Sequence, residues 1–269
     1  MKFTKMHGLG NDFIIAEESA ISSSDFASLS RQLCARRSNI GADGLVIIGK
    51  SDICDLKMLI FNSDGSEADM CGNALRCITR YAWDNKLVSS NEMTVETLAG
   101  VMRPRLNTEN HSVTVDMGMP SFDKSRIHLA ENYEISQDFA VFDKILSVNS
   151  VFMGNPHAVV ISDGDTIEPT VFGPVIENHK AFPNRTNVNF VKIIDKETIQ
   201  LTTWERGAGL TLACGTGSCA AVVITSKLGL TGNKVTVNLA LGELVIEIKD
   251  SGRVFMTGPA EYVYNGIII

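Results

Sequence analysis

Met70-Cys71-Gly72-Asn73-Ala74 and Ala213-Cys214-Gly215-Thr216-Gly217 are two versions of one short phrase, 143 residues apart in a chain of 269. Each follows a loop rich in glycine and acidic residues. Each opens a stretch that reads as a helix: NALRCITRYAWDN from Asn73, and SCAAVVITSKLG from Ser218. A thiol at a helix N-terminus meets unpaired backbone N–H groups and the positive end of the helix dipole, which favour its thiolate. Two such thiols facing each other across a cleft can take a proton from one face of a carbon and deliver one to the other. Composition alone yields about 0.5 Cys-Gly pairs by chance, so the dipeptides by themselves also fit two buried, inert thiols.

The correspondence extends beyond cysteine. Gly10-Asn11 and Gly154-Asn155 each precede a short apolar strand. Asn62 and Glu205 each lie nine residues before their cysteine, and Leu45-Val46-Ile47 aligns with Val188-Asn189-Phe190. A near-constant spacing across several elements is what a duplicated domain leaves behind.

With 44% apolar and 20% charged residues, the composition is that of a globular protein with a large core. A formal charge of −7, with no dense Lys/Arg run, argues against a nucleic-acid surface. The N-terminus has lysines but no apolar stretch behind them, and no apolar run approaches the roughly 20 residues that span a bilayer. A cytoplasmic location, no membrane partner and six reduced cysteines follow as expectations. Cys34, Cys54, Cys71, Cys77, Cys214 and Cys219 contain no C-x-x-C pair, so no metal site is expected.

Strands are expected at Lys2–Met6, Phe13–Ala16, Leu45–Ile48, Leu56–Phe61, 92–97, 101–106 and 112–117. Ser24-Asp25 caps a helix running to about Arg36. After a break at Met117-Gly118-Met119-Pro120, strands are expected at 158–161, 188–194, 201–204, 235–239, 243–249 and 253–257. The second helix is small and apolar nearly all round, as enclosed helices are. Strands in runs with one buried helix per half indicate an α+β fold, each half a sheet wrapped around a helix.

The strings MHGLGNDF, MCGNALRC, MGNPHAV, TNVNFV and ERGAGLTLACGTGSCAA resemble the diaminopimelate epimerase family, amino-acid racemases that work without pyridoxal phosphate. The resemblance covers the whole chain in order. It implies two similar, pseudo-symmetric domains, each a mostly antiparallel sheet around a central helix, with the site between them. The C-terminal strand then returns to the first lobe, so that lobe comprises residues 1–117 plus 261–269 and the second 118–260. The implied reaction interconverts LL- and meso-diaminopimelate in lysine and peptidoglycan precursor biosynthesis, with no cofactor.

The same resemblance assigns Cys71 and Cys214 as thiolate base and thiol acid, exchanging roles with direction. It implies that His157 and Glu205 tune the thiols; Glu205 can equally bind the substrate ammonium. Gly72, Asn73, Gly215 and Thr216 would offer backbone N–H groups to the α-carboxylate. Arg206 suits the distal carboxylate, and Asn11, Asn62, Asn155 and Asn187 suit the polar groups at both ends. Tyr264 matches a dimer-contact tyrosine, implying a homodimer. Two positions depart from the pattern: Gly44, where the family often has Gln, and Leu210, where it often has an acid.

Proline racemases and hydroxyproline epimerases carry a similar cysteine pair, but with His after the first Cys-Gly; Asn73 stands there in this chain. A non-enzymatic thiol redox sensor, switched by a Cys71–Cys214 disulfide, is the third reading.

Overall fold

In the computed structural model, which describes residues 1–162 and 167–268, the chain forms two compact units. One comprises Met1–Asp116 with the chain from Thr257 onward, the other Met117–Met256. Ile269, the last residue of the expected first lobe, and residues 163–166 of the second lie outside the described residues.

The first unit contains β1 (Lys2–Gly8), β2 (Asn11–Glu17), α1 (Phe26–Leu33), β3 (Gly44–Gly49), β4 (Leu56–Asn62), β5 (Glu67–Ala68) and α2 (Gly72–Asp84). β6 (Val95–Thr97), β7 (Gly100–Met102) and β8 (Arg105–Leu106) follow, and β9 (Val113–Gly118) starts in this unit and ends in the next. The second contains α3 (Lys124–Ile127), β10 (Ser136–Val141), β11 (Lys144–Phe152), β12 (Pro156–Ile161), α4 (Pro169–Glu177), β13 (Asn187–Ile193) and β14 (Thr198–Glu205). It continues with β15 (Gly209–Thr211), α5 (Gly215–Lys227), β16 (Lys234–Leu239), β17 (Gly242–Ile248) and β18 (Val254–Gly258). β19 (Glu261–Ile267) belongs to the first unit, where it pairs antiparallel with β1 at the sheet edge.

The strand orders β1-β2-β3-β4-β6-β7 and β11-β12-β13-β14-β16-β17 are equivalent step by step. In each, the second and third strands and the fourth and fifth are parallel, and the other neighbours are antiparallel. A short strand, β5 or β15, branches off the fourth. Register matches too: Leu45 pairs with Phe61 as Val188 pairs with Trp204, and Ile60 with Ala68 as Thr203 with Thr211. This two-domain α+β architecture is the one expected from the sequence.

Alternation along the strands gives each sheet two buried faces. In the first unit Phe3, Ile14, Ala16, Leu45, Ile47 and Phe61 form a core with Leu33 of α1. In the second, Ala158, Val160, Val188 and Phe190 do so with Phe172 and Ile176 of α4. The intervening residues face the other way, where α2 packs on β1 and β2, and α5 on β11 to β14. Burial on both faces explains why β3 and β13 are buried almost throughout. α5 has nine successive buried residues, Gly217 to Thr225, as its all-round apolar sequence requires.

Several elements differ from the sequence reading. α1 stops at Leu33, because Gly41 and Ala42 donate back to the Leu33 and Cys34 carbonyls as the chain turns. The expected 101–106 strand is divided at Pro104, which has no N–H for a ladder. β10, β11 and α4 were not foreseen; Gly173 and Pro174 within α4 read as breakers, but Pro169 opens the helix and tertiary packing holds it. No described helix is long and apolar enough to cross a membrane.

Candidate functional site

Cys71 and Cys214 hold the same place in their units. Each is the N-cap residue of a 13-residue helix, with extended backbone, and its carbonyl accepts the first helical N–H, from Leu75 or Ser218. Their side-chain environments differ. Cys214 Sγ accepts from Gly217 N–H at 3.4 Å and contacts Thr216 Oγ1 at 3.5 Å. Cys71 makes no side-chain cap; its Sγ donates to Asn11 Oδ1 at 3.8 Å.

In the first unit a type I′-like turn, with Leu9 and Gly10 both at positive φ, delivers Asn11 to the start of β2. Asn73 Nδ2 donates to Asn11 Oδ1 at 3.0 Å, and Arg76 Nη1 donates to Asn73 Oδ1 at 2.9 Å. Arg76 is fully buried and also donates through Nε to the Pro259 carbonyl at 3.0 Å. Gly8 leaves it room: a Cβ there would sit 2.7 Å from Nη2. Asn11 Nδ2 donates to Asp43 Oδ2 at 2.8 Å. Arg36 bridges Asp43 at 2.6 Å and Asp12 at 2.7 Å, and Lys5 pairs with Asp12 at 2.8 Å. Burial pushes the Asp12 carboxyl up, but hydrogen bonds from Arg36 and Lys5 outweigh it and hold the group down at about 2. Asn62 pairs with Gly44, next to Asp43, and its Nδ2 donates to Ser66 Oγ at 3.0 Å within the β4–β5 hairpin.

In the second unit Asn187 Nδ2 donates to the Pro156 carbonyl at 2.9 Å, and its Oδ1 accepts from Arg206 N–H at 3.0 Å. Buried Glu177 accepts from Trp204 Nε1 at 2.7 Å and Gly207 N–H at 3.0 Å, which fixes the loop carrying Arg206. Glu205 ends β14 opposite Gly209, and Thr216 occupies the first turn of α5. His157 is fully buried on β12, with Nδ1 3.0 Å from Asn189 Nδ2. Burial, with the Arg206 charge as a lesser cause, holds His157 down at about 3. His157 Nε2 and Asn155 Oδ1 are buried with no hydrogen-bond partner among the described residues. A cavity of about 170 Å³ opens beside Cys214, lined also by Thr203, Thr211, Ala213 and Asn238.

The structure therefore gathers Asn11, Cys71 and Asn73 in one unit, and Asn187 with Arg206 in the other. Tyr264 lies on exposed edge strand β19, its ring edge-on to Phe3 at 5.9 Å. Gly44 fits its position tightly, since a Cβ would meet the Phe61 carbonyl at 2.8 Å; Leu210 is half exposed. Sequence reasoning missed Asp43, Arg76, Glu177 and Asn189. Asn189 carried a signal: it is a polar residue two places from Asn187 on an otherwise apolar strand.

A sequence model of the family described as diaminopimelate epimerase matches residues 3–122 and 149–263. The diaminopimelate epimerase of Pelotomaculum thermopropionicum is 44% identical over 274 residues, covering 99% of this chain and 98% of the relative. That of Caldanaerobacter subterraneus subsp. tengcongensis is 45% identical over 274 residues, covering 100% and 99%. Among solved structures, a probable proline racemase from Agrobacterium radiobacter K84 with bound carbonate superposes with a TM-score of 0.71 at 15% identity, covering 100% of this chain and 92% of that one. That likeness is one of fold.

Proposed function

This chain belongs to the diaminopimelate epimerase family, and from that premise we propose that it interconverts LL- and meso-diaminopimelate in the cytoplasm, without a cofactor. Cys71 and Cys214 are the two bases in this reading, one from each lobe. The expected lobes are 1–117 with 261–269, and 118–260. The observation that carries the reading is the equivalence of the two cysteines: N-cap residues of 13-residue helices, after the same strand in two copies of one sheet.

The α-proton of an amino acid is weakly acidic, so its removal needs stabilisation of the charge that develops on the α-carboxylate. The first-turn N–H groups of α2 and α5, at Gly72-Asn73 and Gly215-Thr216, are donors of that kind. One thiolate removes the proton from one face; the other thiol supplies its proton to the opposite face. The stereocentre is inverted, and the two sulfurs have exchanged protonation states. Arg206 suits the distal carboxylate, and Asn11, Asn62, Asn155, Asn187 and Glu205 the remaining polar groups. A homodimer through β19 and Tyr264 completes the proposal.

The test is to incubate reduced protein with LL-diaminopimelate in deuterium oxide. Deuterium at the α-carbon and formation of the meso isomer are expected. Absence of both from folded, reduced protein would sink the assignment.

A further inference from the structure

The two copies of the fold fill one set of three neighbouring strand positions with opposite chemistry. In the first unit the set is Phe13, Val46 and Ile60, in β2, β3 and β4. Register makes their counterparts His157, Asn189 and Thr203: Phe13 pairs with Gly44 as His157 pairs with Asn187, and Val46 with Ile60 as Asn189 with Thr203. All six are buried. The sheet therefore has no need of polar groups here, since three apolar side chains serve in the first copy. Buried polar groups carry a desolvation cost unless paired, so their presence in the second copy needs another reason.

Their hydrogen bonds have one consistent polarity. Asn189 Nδ2 lies 3.3 Å from the Ala158 carbonyl, which can only accept, so that end of the amide is the donor. Its Oδ1 accepts from Thr203 Oγ1 at 3.1 Å. The same Nδ2 is 3.0 Å from His157 Nδ1, so Nδ1 accepts and carries no proton. In a neutral imidazole the proton then sits on Nε2. That Nε2–H is buried and has no partner among the described residues. The group abuts the N-terminus of α5: a Cβ on Gly217 would lie 2.4 Å from Asn189 Oδ1, and Gly217 N–H is the donor to Cys214 Sγ. Arg206 is a charged group whose field reaches the ring, and it opposes an imidazolium.

We propose that His157 serves as a neutral hydrogen-bond donor whose Nε2–H meets an anionic group of the bound substrate, and that Asn189 is the positioning residue that fixes this tautomer. His157 then takes no proton from either cysteine; its ring is already neutral and its unpartnered Nε2 already carries hydrogen. The acceptor it fits is a carboxylate, which needs a buried donor where water is excluded. This deepens the proposed function and rests on it for the identity of the substrate.

The tautomer is read directly by long-range ¹H–¹⁵N correlation on uniformly ¹⁵N-labelled protein, with His157→Gln identifying the resonances. Wild type should show a pyridine-like Nδ1 and a pyrrole-like Nε2, unchanged from pH 5 to 8. Saturating diaminopimelate should shift Nε2. A protonated Nδ1, a titration midpoint within that range, or an Nε2 resonance indifferent to a substrate that is turned over would each overturn the proposal. Asn189→Asp places an acceptor against Nδ1 and should move the ring proton from Nε2 to Nδ1, lowering kcat by about 10²-fold, the usual cost of losing one oriented donor. Asn189→Ser, whose hydroxyl can still donate, should restore the wild-type tautomer. A purely structural role for Asn189 would leave the nitrogen pattern unchanged in both folded variants and would also overturn the proposal. If diaminopimelate is not a substrate but the nitrogen pattern is as stated, the assigned reaction fails and the tautomer assignment stands.

Discussion

Asn11 donates its Nδ2 to Asp43 Oδ2 at 2.8 Å, which leaves its Oδ1 as the end of the amide turned towards Cys71. The other end of the chain of bonds agrees. Arg76 can only donate, so Asn73 presents Oδ1 to it and Nδ2 to Asn11. Cys71 Sγ thus donates to an amide oxygen, whereas Cys214 Sγ accepts from the Gly217 N–H.

Asp43→Asn should leave the Asn11 orientation in place, because Asn73 Nδ2, set by Arg76, still needs Asn11 Oδ1 as its acceptor. It removes a carboxylate bonded to the far end of the Asn11 amide, and loss of a nearby negative charge favours a thiolate, so the pH at which Cys71 becomes reactive should fall. Site-resolved iodoacetamide alkylation measures this, with Cys214 in the same sample as the control. A Cys71 profile that matches wild type in folded protein would refute the prediction.

The cysteines should also differ in what they contribute to stability. Cys214→Ala removes an N-cap acceptor and should cost about 1 kcal/mol, whereas Cys71→Ala removes none and should cost less. Urea unfolding separates the two. Both variants should lose epimerisation, so equal stability losses would count against the cap geometry and leave the chemistry untouched.

Arg76 is the largest fully buried side chain among the described residues, and it is charged. Arg76→Met leaves the Pro259 carbonyl and Asn73 Oδ1 without their donor and should cost about 3 kcal/mol. Gly8→Ala attacks the same contact from the other side and should cost about 1–3 kcal/mol by overpacking. Because both act on one guanidinium, their effects should not add. Denaturant midpoints of the single and double variants test this; simple additivity would count against the shared contact.

The duplication was legible in the sequence because both copies kept Cys-Gly at the start of a buried helix. The cysteines and their helices followed from short-range patterns, and the weight given to Asn73 came from the family resemblance. The residues that orient the site were not legible in this way. Asp43 meets Asn11 only once β2 and β3 are assembled, the burial of Arg76 depends on its distant acceptor at Pro259, and Glu177 lies on a helix disguised by Gly173-Pro174. Local pattern reveals which residues carry chemistry; the partners that orient Asn11 and His157, Asp43 and Asn189, come from segments 32 residues away.

Acid should act on two groups in sequence. His157 has its folded pKa lowered to about 3 from 6.5, so its neutral form favours folding at higher pH. That stability is full above 6.5 and is lost as pH falls towards 3, the loss amounting to about 3 kcal/mol by pH 4.5. Asp12 is lowered from 3.8 to about 2, so its share is present above 3.8 and disappears as pH falls through 2. Solvent screening keeps that share to about 1 kcal/mol. Unfolding free energies between pH 7 and 3 should fall more gently in His157→Gln than in wild type. Parallel curves would show that the imidazole is not buried neutral.

The last expectation concerns β19. It is an edge strand that exposes Val263, Tyr264 and Ile267, and a bare apolar edge invites pairing with another chain. The proposed homodimer would cover these residues, which are exposed in the single chain of 29.2 kDa. Tyr264→Asp would place a charge in that contact and remove the edge-on packing against Phe3. Sedimentation velocity should find wild type at twice the chain mass and the variant at the chain mass. A wild-type protein that sediments as a monomer at micromolar concentration would remove β19 as a dimer surface, without touching the thiol chemistry, because no proposed substrate contact lies on that strand.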